Sequence, residues 1–542
     1  MEPSKEQVRA VIELFSSGKQ KKALEKIESL NEKYPNNSTL FNIKGACYAE
    51  LKHFDAAVNA YERAIIIKPD YYKAHYNLGG VLHELGHLDS AVKSFKTALN
   101  IEPNYAEAHN NLGNVFRDLK QLDDAVNSYK KAVIIQPDYI EAHYSLGASF
   151  HDLNKIDAAI KCYTEVLVIK PDFAEMHNNL GVLFQELGQI DSAVKHLEDA
   201  LLIMPEFAEA HNNLGNVFKT LGRSKDAVGC YRAAVLIKPS YAEAHFNLGV
   251  IYQELEKFNE AINHYEKAIS IRSDYAEAYN NRGIILKEKG KLNDAINSFN
   301  DALTINPDYV EANYNLGVSF QELKKFNQAI KQYEKTITIN PDYAEAHNNL
   351  GIAFKELEKY DLAIKSYAKA ITLNPDYAEA HNNLGNMLKV LGKPYEAIKS
   401  YEKTLKIKPD YAEAHNNLGI ILMHLGELDK SVKSFENALI INPNYAEVHN
   451  NLGIVFGMLG NLESSINSYE KALANEPNYA EAHSNLGNLM MDLKRLDDAI
   501  FNYDKAFELK PEIPFNFGNL LHTKMHLCLW SDLADQCKEI IR

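Results

Sequence analysis

The chain has 542 residues, 24% of them charged, with 73 Asp and Glu against 58 Lys and Arg and a formal net charge of −15. That acidic excess runs along the whole length and leaves no basic stripe to neutralise phosphates, so neither nucleic acid nor a membrane surface is an expected partner. The five cysteines show no CxxC spacing and no stretch reaches about 18 apolar residues, which speaks against a disulfide framework, a structural zinc site and a membrane span, and for a cytoplasmic, reducing setting.

The first segment, 1–37, opens without an apolar signal-type core and reads as a degenerate N-terminal capping repeat, its loose unit covering 4–37. Fourteen 34-residue units follow from 38 to 513. Proline recurs every 34 residues from Pro35 to Pro511, with Ser273 filling the one gap. A period this strict predicts a solenoid rather than a set of independent globular domains. Each unit reads as two amphipathic helices. In the unit 106–139, Ala108, Leu112, Val115, Phe116 and Leu119 mark helix A, and Ala125, Val126, Tyr129, Ala132 and Val133 mark helix B. Proline then ends helix B.

Glycine stands at the eighth position of all fourteen units, Gly45 to Gly487, inside helix A, where it costs about 1 kcal/mol relative to alanine. The twentieth position is alanine in twelve units and serine in two, Ser431 and Ser465, so the helices are expected to cross where neither has bulk. An aromatic at the twenty-fourth position, replaced once by Leu197, fills the adjacent space. Gly at 8, Ala at 20, Tyr or Phe at 24 and Pro at 32 of a 34-residue helix pair resemble the tetratricopeptide repeat over about 4–542. The resemblance implies an all-α fold, a right-handed superhelical solenoid of stacked helix pairs whose A helices line a concave groove. Stacking follows on physical grounds too, since one helix pair cannot bury its apolar face alone.

Three recurrent polar positions lie on helix A. The fourth is histidine in eleven units, from His75 to His483. Equivalent positions of stacked units lie roughly 10 Å apart, too far to share one metal ion, so these read as partly buried packing residues and no metal ligand is assigned. The sixth position is asparagine at Asn77, Asn111, Asn179, Asn213, Asn247, Asn281, Asn315, Asn349, Asn383, Asn417, Asn451 and Asn485, broken by Ser145, and Asn519 keeps it after 513. Asparagine is a poor interior helix residue, so its repetition suggests a duty. An amide carries donor and acceptor side by side and can pair with the backbone of an extended peptide. The competing reading is that each amide bonds a neighbouring backbone group and locks the stack. The second position is glutamate in twelve consecutive units, Glu107 to Glu481, which suits a helix N-terminus and, if it faces the groove, disfavours acidic ligands. Co-chaperones of this family that grip a peptide carboxylate place Lys and Arg at the second, fifth and sixth positions. Here those positions hold Glu, Asn or an aromatic, and Asn in nearly every unit, with Lys73 the one cation among them, so that mode is not expected.

No nucleotide-binding glycine motif and no nucleophile with a plausible base are present, so no catalytic residue and no cofactor are assigned. The remaining segment, 514–542, departs from the pattern, with Pro514 suited to a first helical turn and Leu521 in place of the eighth-position glycine. The run Pro511, Pro514, Asn519, Leu520, His522, Cys528, Trp530, Asp532 resembles the junction at which the repeats of protein O-linked N-acetylglucosaminyltransferases and SPINDLY-type relatives lead into their catalytic half. Leu529 departs from it, standing where an acidic residue is typical. That resemblance implies a parent enzyme using UDP-N-acetylglucosamine on Ser or Thr. Leu533, Ala534, Cys537, Ile540 and Ile541 form an apolar face expected to meet further protein, as in a truncated longer enzyme. The sequence thus reads as a scaffold binding extended polypeptide, the substrate-recognition region of such a transferase. A free-standing assembly scaffold and the targeting half of another enzyme stay open as alternatives, as does homodimerisation through convex faces.

Overall fold

Each 34-residue unit carries its own helix breakers, and these set the architecture. The computed structural model describes residues 2–527. The sequence expectations resting on Cys528, Leu529, Trp530, Asp532 and the terminal apolar face lie outside those residues. Among the described residues there are 31 helices and no strand. In the unit 106–139 helix A is Ala106–Asp118 and helix B is Leu122–Ile135. Gln136, before Pro137, is extended at φ −127° and ψ 93°, the conformation a following proline imposes. Arg272 takes the same conformation before Ser273, at φ −127° and ψ 94°, so the turn survives the one missing proline.

The chain forms two compact units, Met1–Ser273 and Asp274–Arg542. The first holds sixteen helices, from Lys5–Ser16 to Phe258–Ile271, and the second fifteen, from Ala276–Glu288 to Asn516–His526. Within each, helix A packs on helix B of its own repeat, and helix B packs on helix A of the next. Successive A helices also touch, as Ala106–Asp118 does Ile140–Asp152. The fold is all-α, with stacked helix pairs in both units.

The apolar stripes read from the sequence are the core. Ala108, Leu112, Val115, Phe116, Ala125, Val126, Tyr129 and Ala132 are buried, with Leu119 and Val133 packed at the margin. The eighth-position glycine has a different primary neighbour from the one expected. A Cβ on Gly113 would stand 2.6 Å from the Tyr129 ring, and one on Gly249 2.5 Å from the Tyr265 ring. The space that a methyl group would need is held by the twenty-fourth side chain, and not merely by the absence of bulk at the twentieth. The twentieth residue borders the glycine backbone: Ser431 and Ser465 donate their hydroxyls to the carbonyls of Gly419 and Gly453 at 2.8 and 2.6 Å. The two departures from alanine thus satisfy their own polar groups.

Pro514 does not enter the first helical turn. The last described helix starts at Asn516, two residues later than the unit pattern predicts, after Phe515 adopts a left-handed conformation at φ 63°.

Candidate functional site

The sixth-position asparagines lie on the A helices, half-buried, with Asn417 and Asn451 fully buried. Most of them join each repeat to the one before. Asn77 Nδ2 donates to Asn42 Oδ1 at 3.0 Å, and the same bond recurs from Asn213 to Asn178, Asn247 to Asn212, Asn315 to Asn280, Asn383 to Asn348, Asn451 to Asn416 and Asn485 to Asn450, between 2.9 and 3.1 Å. The acceptor is always the fifth residue of the preceding repeat. Where that residue is tyrosine its phenol accepts instead, from Asn111 at Tyr76 (3.0 Å) and from Asn349 at Tyr314 (2.9 Å). Before Asn519 the fifth residue is Ser484, and the amide turns to Asn488 Oδ1 at 2.9 Å.

Three members break the chain of bonds. Asn179, Asn281 and Asn417 make no such contact among the described residues. Asn382 points its amide at Glu413 (3.2 Å), leaving its own Oδ1 buried without a partner, and Lys389 reaches Asn417 Oδ1 at 3.4 Å. Asn281 accepts from Asn280 of its own repeat at 3.3 Å. The fifth residue therefore belongs to the ladder, which the sequence reading missed. Its signal was available in the Asn-Asn pairs of helix A. A primary amide has two N–H groups and a carbonyl oxygen. After one N–H is given to the preceding repeat, a second N–H and, at most positions, the Oδ1 are left for another partner; Asn247 is an exception, giving its other N–H to Asn216 Oδ1 at 3.2 Å, and the Oδ1 atoms of Asn111 and Asn349 accept from the adjacent Asn110 and Asn348.

The glutamate line flanks the ladder and is partly engaged. Glu209 and Glu481 accept from Lys238 and Lys510 at 2.7 Å, bonds that hold both carboxyls below the usual range. Glu447 accepts from Asn416 at 3.1 Å. These lysine pairs are nearly half exposed, so each contributes little to stability.

The fourth-position histidines have a single duty that the sequence did not suggest. All eleven place Nε2 against the carbonyl oxygen of the proline six residues earlier, as His109 does to Pro103 at 3.0 Å and His449 to Pro443 at 2.9 Å. Asn313, standing where histidine is replaced, donates to Pro307 at 3.2 Å. With Nε2–H donating, Nδ1 is left as the acceptor, except at His483, whose Nδ1 faces the acceptor Asn502 Oδ1 at 2.9 Å. Burial pushes His109, His245, His347, His381 and His415 below the ordinary imidazole value. Burial also pushes the free thiols of Cys47, Cys162 and Cys230 up to about 11.

Sequence profiles described as TPR repeat match residues 45–86, 79–116, 113–154, 147–188, 183–222, 319–358 and 353–392. Others described as tetratricopeptide repeat match 206–274, 240–308, 410–478, 378–411 and 480–513. The chain belongs to the tetratricopeptide repeat family. Such repeats form a scaffold suited to protein–protein interaction. Comparison with curated proteins gives no match. Among solved structures, MamA is 32% identical over 30% of this tetratricopeptide chain and 96% of its own, with a TM-score of 0.29. YrrB, described as a TPR protein with an unusual peptide-binding site, is 21% identical over 34% of this chain and 95% of its own, at 0.31. The Cut9–Hcn1 hetero-tetramer of the APC/C matches at 16% identity over 90% and 96%, at 0.40. None of these likenesses bears on what these tetratricopeptide units bind. No helix among the described residues is long and apolar enough to cross a membrane.

Proposed function

We propose that the chain binds extended polypeptide along the asparagine-bearing faces of its A helices. The observation that carries this reading is the recurrence of an amide at the sixth position, most of whose members keep an N–H, a carbonyl oxygen or both unused after the bond to the preceding repeat. A backbone in extended form offers the complementary pair, C=O and N–H, at regular intervals. Each such bond is worth about 0.5–1.5 kcal/mol, so affinity comes from number rather than from one anchor. The flanking glutamates bias the site against acidic segments.

Replacing Asn247, Asn281, Asn315 and Asn349 together by alanine is expected to weaken binding of an extended peptide, selected from a random-sequence library, by about tenfold or more, with helicity unchanged. Unaltered affinity in a folded variant overturns the reading and leaves the ladder as a stacking device alone.

A second reading makes the chain the substrate-recognition region of an O-linked N-acetylglucosaminyltransferase-like protein. It is favoured by the residue run from Pro511 to Asp532. A nucleotide-sugar-binding region encoded after Arg542 supports it, and a stop codon directly after Arg542 overturns it.

A further inference from the structure

Two repeats carry a second histidine at the twenty-third position, nineteen residues after the fourth-position one. In both, the rings meet nitrogen to nitrogen: His177 Nδ1 lies 3.1 Å from His196 Nδ1, and His245 Nδ1 lies 3.1 Å from His264 Nδ1. Both pairs have ring centroids 5.3 Å apart. Both first histidines are tied through Nε2 to a proline carbonyl at 3.2 Å, Pro171 and Pro239 respectively. Each second ring stacks on an aromatic of helix A, His196 on Phe184 and His264 on Tyr252. The pairs differ in the charges beside them: Arg232, bonded to Tyr252, lies at the second pair, where Thr164 is its counterpart at the first. One helical turn beyond the second histidine stands Asp199 in the first pair and Lys267 in the other.

That difference decides what each pair can hold. The proline carbonyl fixes the proton of His177 on Nε2, so its Nδ1 presents a lone pair. A hydrogen bond from His196 Nδ1–H satisfies it, and the same bond accounts for His245 and His264. Asp199 Oδ2, however, lies 3.8 Å from that same Nδ1, and the two imidazole nitrogens and the carboxylate oxygen all fall within 4.8 Å of one another. A carboxylate and a nitrogen lone pair brought together in this way call for a cation between them. Two nitrogens bound to one tetrahedral zinc ion at 2.0–2.1 Å stand about 3.3 Å apart, close to the spacing present before any ion enters. A histidine that donates its other N–H to a backbone carbonyl is oriented as metal-ligating imidazoles are.

We propose that His177, His196 and Asp199 bind a divalent transition-metal ion of the zinc class, with water completing the coordination. Two imidazoles and one carboxylate suit zinc rather than calcium or magnesium, which prefer oxygen ligands. The site bridges helices Ala174–Glu186 and Ile190–Ile203 of a single repeat. It departs from the sequence expectation of no metal ligand, because that argument compared equivalent positions of neighbouring repeats and not two positions within one. His245 and His264 do not qualify, since Lys267 places a positive charge where the third ligand is needed.

The test uses untagged full-length chain, stripped with a chelator and titrated with ZnCl2 in a calorimeter. The wild type is expected to bind one equivalent more than His196→Ala, and Asp199→Asn is expected to weaken that equivalent by at least tenfold. His264→Ala should retain it. Lys267→Asp combined with Arg232→Thr, which removes both cations beside that pair, should gain a second equivalent by completing the other triad, a result that loss of folding cannot imitate. Equal stoichiometry in the wild type and a folded His196→Ala overturns the site, as does an unchanged count in the Lys267→Asp, Arg232→Thr double variant. An Asp199 that serves only to stabilise a protonated imidazole gives those same negative results.

Discussion

At the scale of single residues, the repeat is held by a ring pressed on bare backbone. Gly113 meets Tyr129 so closely that a methyl group would lie 2.6 Å from the ring, whereas Gly80, also within helix A of its repeat, has nothing within 4 Å. Gly113→Ala is therefore expected to destabilise by about 1–3 kcal/mol through overpacking, and Gly80→Ala to stabilise by about 0.5–1 kcal/mol. Denaturant midpoints of both variants check this, and a destabilised Gly80→Ala contradicts it. The glycine column was plain in the sequence, but its cause was read as the small twentieth residue, because helix periodicity does not say which ring a backbone touches.

The histidines carry a pH dependence. His109, His196, His245, His347, His381 and His415 are pushed down by burial, and His264 falls from 6.5 to about 4. Below pH 6.5 the unfolded chain binds protons that these folded imidazoles still refuse, so stability falls as pH drops towards the folded values. The thermal midpoint should decrease from about pH 7 to about pH 5, less steeply in His264→Gln, which cannot titrate. A midpoint that rises on acidification contradicts the assignment. Eleven histidines were legible as a column, yet their proline carbonyl partners were not, since a side chain bonding backbone six residues away leaves no mark of its own on composition.

At the scale of the helix pair, the turn from A to B uses a left-handed residue at the fifteenth position of every unit. Seven are glycines, such as Gly86 and Gly188, and the others include Lys120 at φ 61°, Lys324 at 57° and Lys494 at 61°. A side chain in this conformation costs about 1 kcal/mol. Changing Lys120, Lys324 and Lys494 to glycine is expected to stabilise by about 0.5–1 kcal/mol each, after allowing for the greater freedom of glycine in the unfolded chain. A lowered denaturant midpoint contradicts this. Helix boundaries were readable because proline and glycine punctuate them. The pairing of fifth with sixth residues across repeats was not, because an amide has several partners within reach and the sequence does not choose among them.

At the scale of the molecule, both compact units repeat one solution: helix pairs stack on their neighbours, and most A helices hand an amide to the one before. The period made the fold legible almost completely. The proposed ligand was less so, since a surface that would pair with backbone retains no imprint of the side chains that pass over it. Pairing of the ladder's free donors and acceptors with peptide backbone, as proposed above, is decided by the affinity of one extended peptide beside that of the same peptide with alternate backbone nitrogens methylated. Methylation is expected to weaken binding by about tenfold or more, as lost hydrogen bonds add up, while conservative side-chain changes alter it little. Equal affinity for the two peptides contradicts it.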